Sequence, residues 1–175
     1  MKALNNFIIE KLKLSKNNKR ICPKTKGELK LEILKRIIDK ETDYNDIDVS
    51  NIEDMSYLFE DQDIITIDIS EWDVSNVKNM KSMFNNCKYL RTIGDISFWN
   101  INKVSDMSFM FNNCKNLSEL GDLSSWNMKG KNLKCMFQNC QKLKTLGDIR
   151  EWNPDNPIWD IFPYCDCKPT PYKKP

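Results

Sequence analysis

Histidine is absent from the 175 residues. That removes the commonest general base and the Ser-His and Cys-His nucleophile pairs. Glycine is scarce as well: Gly27, Gly94, Gly121, Gly130 and Gly147 each stand alone, so no Gly-rich loop cradles a phosphate. Carboxylates are plentiful but no pair is marked out, and an enzyme is not expected. No apolar run reaches 18 residues, which excludes a helical membrane span. The opening MKALNNFIIEKLKLSKNNKR has no apolar core of signal-peptide length and no small-residue cleavage site, and no lipobox-like Cys lies near it. A cytoplasmic location as encoded is the expectation, with surface or virion association left open. The seven cysteines are an odd number, three of them at equivalent repeat positions, and suggest reduced thiols rather than a disulfide framework.

Net charge is also low, at +2. It is unevenly spread: residues 1–40 carry +8, residues 41–63 carry −9 with no Lys or Arg, and residues 64–175 carry +3. A basic N-terminal stretch beside an acidic one is expected to pair locally, and nucleic acid is a poor candidate partner.

What the chain has in abundance is itself. MKSMFNNCKYLRTIGDISFWN (80–100), MSFMFNNCKNLSELGDLSSWN (107–127) and LKCMFQNCQKLKTLGDIREWN (133–153) repeat one pattern. Phe84, Phe111 and Phe137 are 27 and 26 residues apart, as are Cys87, Cys114 and Cys140, and Gly94, Gly121 and Gly147. Trp72, Trp99, Trp126 and Trp152 are spaced 27, 27 and 26. A period of this size is the signature of stacked units that bury their apolar faces only against neighbours. A degenerate earlier unit holds Asp48–Phe59, where Met55-Ser56-Tyr57-Leu58-Phe59 matches Met80–Phe84 at an offset of 25 and the later glycine is missing.

Two periodicities alternate within a unit. Val77, Met80, Met83 and Phe84 suggest a short helix or helical turn, capped by Ser75 or Asn76. Leu90, Ile93 and Ile96 suggest a short strand, and a Gly there suggests a bend at positive φ. Ahead of the units, Leu4, Phe7, Ile8, Leu12 and Leu14 predict a helix over 2–14. Thr25 with Glu28 is a capping box opening a helix to about Asp39, with Leu29, Ile33, Leu34, Ile37 and Ile38 on its apolar face. The expected division is a helical arm and cap over 1–40, about four coils over 41–153, and a Pro-rich cap and tail over 154–175. Ile158, Trp159, Ile161 and Phe162 are available there to cover the end of the stack.

The string DISxWD/NxxxVxxMxxMFxxCxxL resembles the BspA-type leucine-rich repeat, and the similarity covers about residues 22–153. The resemblance implies an α/β repeat fold, a right-handed β/α solenoid that is leucine-rich-repeat-like, acting as an adhesin or binding surface rather than an enzyme. This chain is shorter than such proteins and carries an extra Gly per coil.

Four constellations along the chain carry side chains able to hold a ligand. The Cys87–Cys114–Cys140 row fits packing better than zinc, whose four ligands converge on a point; Cys135, Cys140, Cys165 and Cys167 have poor zinc spacing. The Asp68–Asp95–Asp122–Asp148 row could hold calcium, but one Asp per coil fits hydrogen-bonded turns better. The four repeat Trp fit packing at one corner better than an aromatic binding stripe. No metal or cofactor is expected. The residues that vary on the repeated frame are Lys88-Tyr89, Lys115-Asn116 and Gln141-Lys142, then Arg91, Glu119 and Lys144. Variable surface on a constant frame is how repeat proteins present a binding face. The expected function is non-enzymatic protein–protein interaction by a monomeric module through that face. Alternatives are a surface adhesin or a structural component of a virus or phage assembly.

Overall fold

The computed structural model describes residues 20–149, 152 and 158–165; the helix expected over 2–14 and the tail beyond Cys165 lie outside them. Successive repeats lie one on another in parallel. Single-residue bridges link Asp54 to Asn79, Asn79 to Asp106 and Asp106 to Asn132, and a second column joins Thr66, Thr92 and Glu119. The core between the columns is a stack of rings. Tyr44, Phe59, Phe84, Phe111, Phe137 and Phe162 follow one another at centroid distances of 6.3, 4.8, 5.4, 5.5 and 5.2 Å.

The stretch that reads as helical is built from turns instead. Met83, Asn85 and Cys87 donate backbone N–H to Met80, Ser82 and Phe84, three residues back. The alternate amides of Met80, Ser82, Phe84 and Asn86 donate to Asp106, Ser108, Met110 and Asn112 of the next repeat. The reversal comes from positive φ at Ser82 (54°) and Asn86 (63°), repeated at Phe109 and Asn113 and at Cys135 and Asn139. An α-helix spends every N–H along its own axis. Here every second one is turned onto the neighbour, so the i, i+3, i+7 apolar spacing is kept without a helix. Asn and Asp enter the left-handed region at least cost among non-glycine residues, which accounts for Asp61, Asn86, Asn113 and Asn139 in that column.

Each repeat turns at three further points where a side-chain oxygen accepts the backbone N–H two residues on. In the second repeat these are Asp68 with Ser70, Asp73 with Ser75, and Asn79 with Lys81, each at 3.0 Å. The expected strand shrinks to a single bridged residue, Thr92, because Gly94 (φ 86°) and the turn at Asp95 end the extended backbone on one side. Gly94, Gly121 and Gly147 have a second reason to lack a side chain. A Cβ on each would collide with Oδ1 of Asp68, Asp95 and Asp122 in the preceding repeat.

Helix α1, Lys26–Ile38, lies against the first repeat. Thr25 caps it by accepting the Glu28 N–H at 3.2 Å, while Glu28 reaches back to the Lys24 N–H rather than to Thr25. Its buried positions are Leu29, Ile33 and Arg36, so the apolar face expected to run through Ile38 is displaced: Ile38 is 77% exposed. Arg36 takes the last inward position because it pairs with Asp46 at 2.9 Å and Glu41 at 3.2 Å and donates to the Asp43 carbonyl. Lys26 pairs with Asp54 at 3.0 Å. The basic and acidic stretches attract each other through these contacts.

At the far end, α2 (Ile158–Ile161) and the residues after it continue the register. Ile158-Trp159-Asp160-Ile161-Phe162-Pro163-Tyr164-Cys165 aligns with Met80–Cys87, and Phe137 and Asn139 donate to the carbonyls of Ile161 and Pro163. Tyr164 has positive φ (58°) as Asn86 does. The segment expected only to cover the end is itself a degenerate half-repeat.

Candidate interaction face

The site is built outward from the cysteine column. Cys87, Cys114 and Cys140 are fully buried and donate from Sγ to the carbonyls of Phe59, Phe84 and Phe111 at 3.0–3.1 Å. Burial pushes the Cys87 and Cys140 thiols up to about 12 and raises the Cys114 thiol well above its ordinary value. These side chains are packing groups. Cys22, Cys87, Cys114, Cys135 and Cys140 are free, whereas Cys165 is disulfide-bonded, against the expectation of reduced thiols throughout. An odd count forbids complete pairing but not a single bridge.

Directly after each cysteine the chain comes to the surface. Arg91 donates its backbone N–H to Ile65, Ser118 to Arg91 and Lys144 to Ser118, so one column runs Ile65–Arg91–Ser118–Lys144. Beside it Asn116 donates to the Lys88 carbonyl and accepts from Lys142 Nζ, both at 2.7 Å. Glu119 pairs with Lys144 at 3.3 Å. Thus Lys88, Tyr89, Arg91, Lys115, Asn116, Glu119, Gln141, Lys142 and Lys144 share one face; all are exposed except the half-buried Asn116. Among the described residues Lys88, Arg91 and Lys115 have no ion pair.

The face adjoins an open groove of about 610 Å³, whose lining includes Thr92, Ser118, Glu119 and Lys144 with Gly94, Gly121 and Gly147, and also Asp95 and Asp122. Sequence reading missed this groove. Its available signal was Thr-x-Gly, since Thr92 and Thr145 Oγ1 accept the N–H of Gly94 and Gly147 at 3.1 Å. It also missed Ile65, 57% exposed at the head of the column.

Other candidates resolve into structure. Asp68 Oδ1 accepts from the Ser70 N–H and hydroxyl, Asp95 from the Ser97 N–H, and Asp122 from the Ser124 N–H and hydroxyl. The Ser124 hydroxyl and N–H hold the Asp122 carboxyl below its ordinary value. Trp72, Trp99, Trp126 and Trp152 are at most 4% exposed, which leaves no aromatic stripe for a ligand. Trp72 and Trp152 donate to the carbonyls of Tyr44 and Leu123. One unexpected group is Lys131. The fourth unit is one residue shorter at this corner, and Lys131 enters where Val77 and Val104 stand in earlier units, donating its N–H to Met128 as Val104 does to Ile101. Its ammonium reaches the carbonyls of Ile101 (2.9 Å) and Val104 (2.6 Å), and desolvation lowers its pKa. No helix of the described residues is long and apolar enough to cross a membrane.

The period, the stacked rings and the inter-repeat hydrogen bonds define a tandem-repeat protein. The chain belongs to the family described as Mycoplasma protein of unknown function, DUF285, whose model matches residues 32–152. No curated protein and no solved structure matches the chain.

Proposed function

We propose that this protein is a non-enzymatic protein-interaction module: a short right-handed solenoid, akin to BspA-type leucine-rich repeats, that holds a variable face rigidly for a protein partner. Its division is an N-terminal helical cap, about four coils and a closing half-coil, and it acts as a single chain. The observation that carries this reading is the contrast between frame and face. The Phe and Cys columns keep their residues from repeat to repeat and are buried, while the column Ile65–Arg91–Ser118–Lys144 changes at every step and is largely exposed. Recognition of this kind works through shape and side-chain complementarity. Nothing in the face supplies a base beside a nucleophile.

The test is capture of a partner from the cells that express the protein, using the intact chain, a form lacking residues 1–20, and a face variant, Tyr89→Ala/Lys115→Ala/Lys142→Ala. Retention by the truncated form with loss in the face variant is the expected result. Loss on truncation alone moves the function to the basic N-terminal stretch.

A further inference from the structure

We infer that the partner presents an extended acidic peptide segment, laid along the stack across the Lys88–Arg91–Lys115 face. The inference rests on the interaction reading above and names the chemistry of its partner. In the three later repeats the face comprises Lys88–Thr92, Lys115–Glu119 and Gln141–Thr145, which together hold five basic residues and one acid. Lys142 and Lys144 are engaged with Asn116 and Glu119, but Lys88, Arg91 and Lys115 carry charge that no carboxylate of the described residues answers. Tyr89 and Ile65, 54% and 57% exposed, put apolar surface beside those charges.

Spacing favours an extended chain. The rings that mark the repeat step are 5.4 and 5.5 Å apart, and alternate side chains, which share one face of an extended chain, are about 7 Å apart. Acidic side chains two apart therefore reach cations of neighbouring repeats, such as Lys88 and Lys115. Gly94, Gly121 and Gly147 line the groove beside the cations, together with Asp95 and Asp122. Charge also selects the class of partner. A nucleic acid strand bears phosphates at every step and would lie alongside Asp95, Glu119 and Asp122 on the same groove. A polypeptide places acids where the cations are and neutral residues elsewhere.

The test titrates the full-length protein with a fluorescein-labelled ten-residue peptide of alternating Glu and Ser at low salt, with the alternating Lys-Ser peptide and decathymidylate as controls. Binding of the Glu-Ser peptide over both controls is expected, weakened by added salt and by about tenfold in Arg91→Glu/Lys115→Glu, a variant whose thermal unfolding should match the parent. Lys88→Glu/Lys142→Glu provides a second reversal if the first misfolds. Absence of Glu-Ser peptide binding, binding indifferent to both reversals, or tighter binding of decathymidylate overturns the inference. If the face variant of the capture experiment still loses its cellular partner while the Glu-Ser peptide fails, the acidic-peptide inference falls and the interaction reading stands.

Discussion

Asn112 donates from Nδ2 to Asn85 Oδ1 at 2.8 Å, and Asn85 passes the relationship on by donating to Glu60 Oε1 at 2.8 Å. A parallel ladder runs from Asn113 through Asn86 to Asp61. Asn85 and Asn86 are each donor to one repeat and acceptor from the next, whereas Glu60 and Asp61 at the N-terminal end only accept, which is where a carboxylate fits. Replacing Asn112 by Asp sets a carboxylate against the Asn85 oxygen, with no proton between them at neutral pH. Asn112→Asp should lower unfolding free energy by about 1–3 kcal/mol at pH 7. The new carboxyl titrates higher in the fold than unfolded, so the deficit relative to the parent should shrink as pH falls below that raised value. Denaturant titrations of both proteins at pH 7 and pH 4 measure it.

Gly121 combines φ of 89° with Asp95 in the space a Cβ would need, whereas Gly130 has φ of 73° and nothing within 4 Å. Gly130→Ala should therefore show the conformational term alone, about 1 kcal/mol, and Gly121→Ala should exceed it by about 1–3 kcal/mol. Adding Asp95→Ala to Gly121→Ala should recover part of that excess. Equal effects at the two glycines would remove the carboxylate contact from the explanation.

The buried thiols give a pH dependence of definite sign. Cys87 and Cys140 hold their protons in the fold up to about 12, pushed up by burial, while unfolded thiols ionise near 8.5. Above that value the native state binds more protons than the unfolded one, so stability should fall as pH rises from about 8.5 towards 12. Replacing the buried Cys87 and Cys140 by Ala should flatten that slope while lowering stability at pH 7 by about 1–2 kcal/mol each. Alkylation of the native protein at pH 8 should mark exposed Cys22 and spare Cys87, Cys114 and Cys140.

The repeat step was legible because Phe84, Phe111 and Phe137 fill equivalent core positions and tolerate little change. Helix α1 was legible from Thr25 and Glu28, whose capping is local chemistry. The turn-built backbone was not. Met80, Met83 and Phe84 satisfy a helical period and a chain of three-residue turns alike, and the choice is made by φ at Ser82 and Asn86, which the apolar pattern does not encode. Paired Asn in Asn85-Asn86 and Asn112-Asn113 was the overlooked sign, since one forms a ladder and the other takes positive φ. Tyr164 hid the closing half-repeat by standing where Asn stands elsewhere. Of the candidate face, the nine residues were named from variation alone; their ion pairs and the adjoining groove depend on how neighbouring repeats meet, which no single repeat contains.

Everything proposed for the face depends on a rigid stack, and amide hydrogen exchange on the native protein tests that most directly. The amides of Ser82, Phe84 and Asn86, and of Phe109, Phe111 and Asn113, donate to the following repeat. They should exchange only through global unfolding, at one common free energy that denaturant lowers equally. Rapid exchange at Ser82 and Phe109 while Phe84 and Phe111 stay protected would contradict the account, because it would leave the rings packed without the ladder that holds the repeats in register.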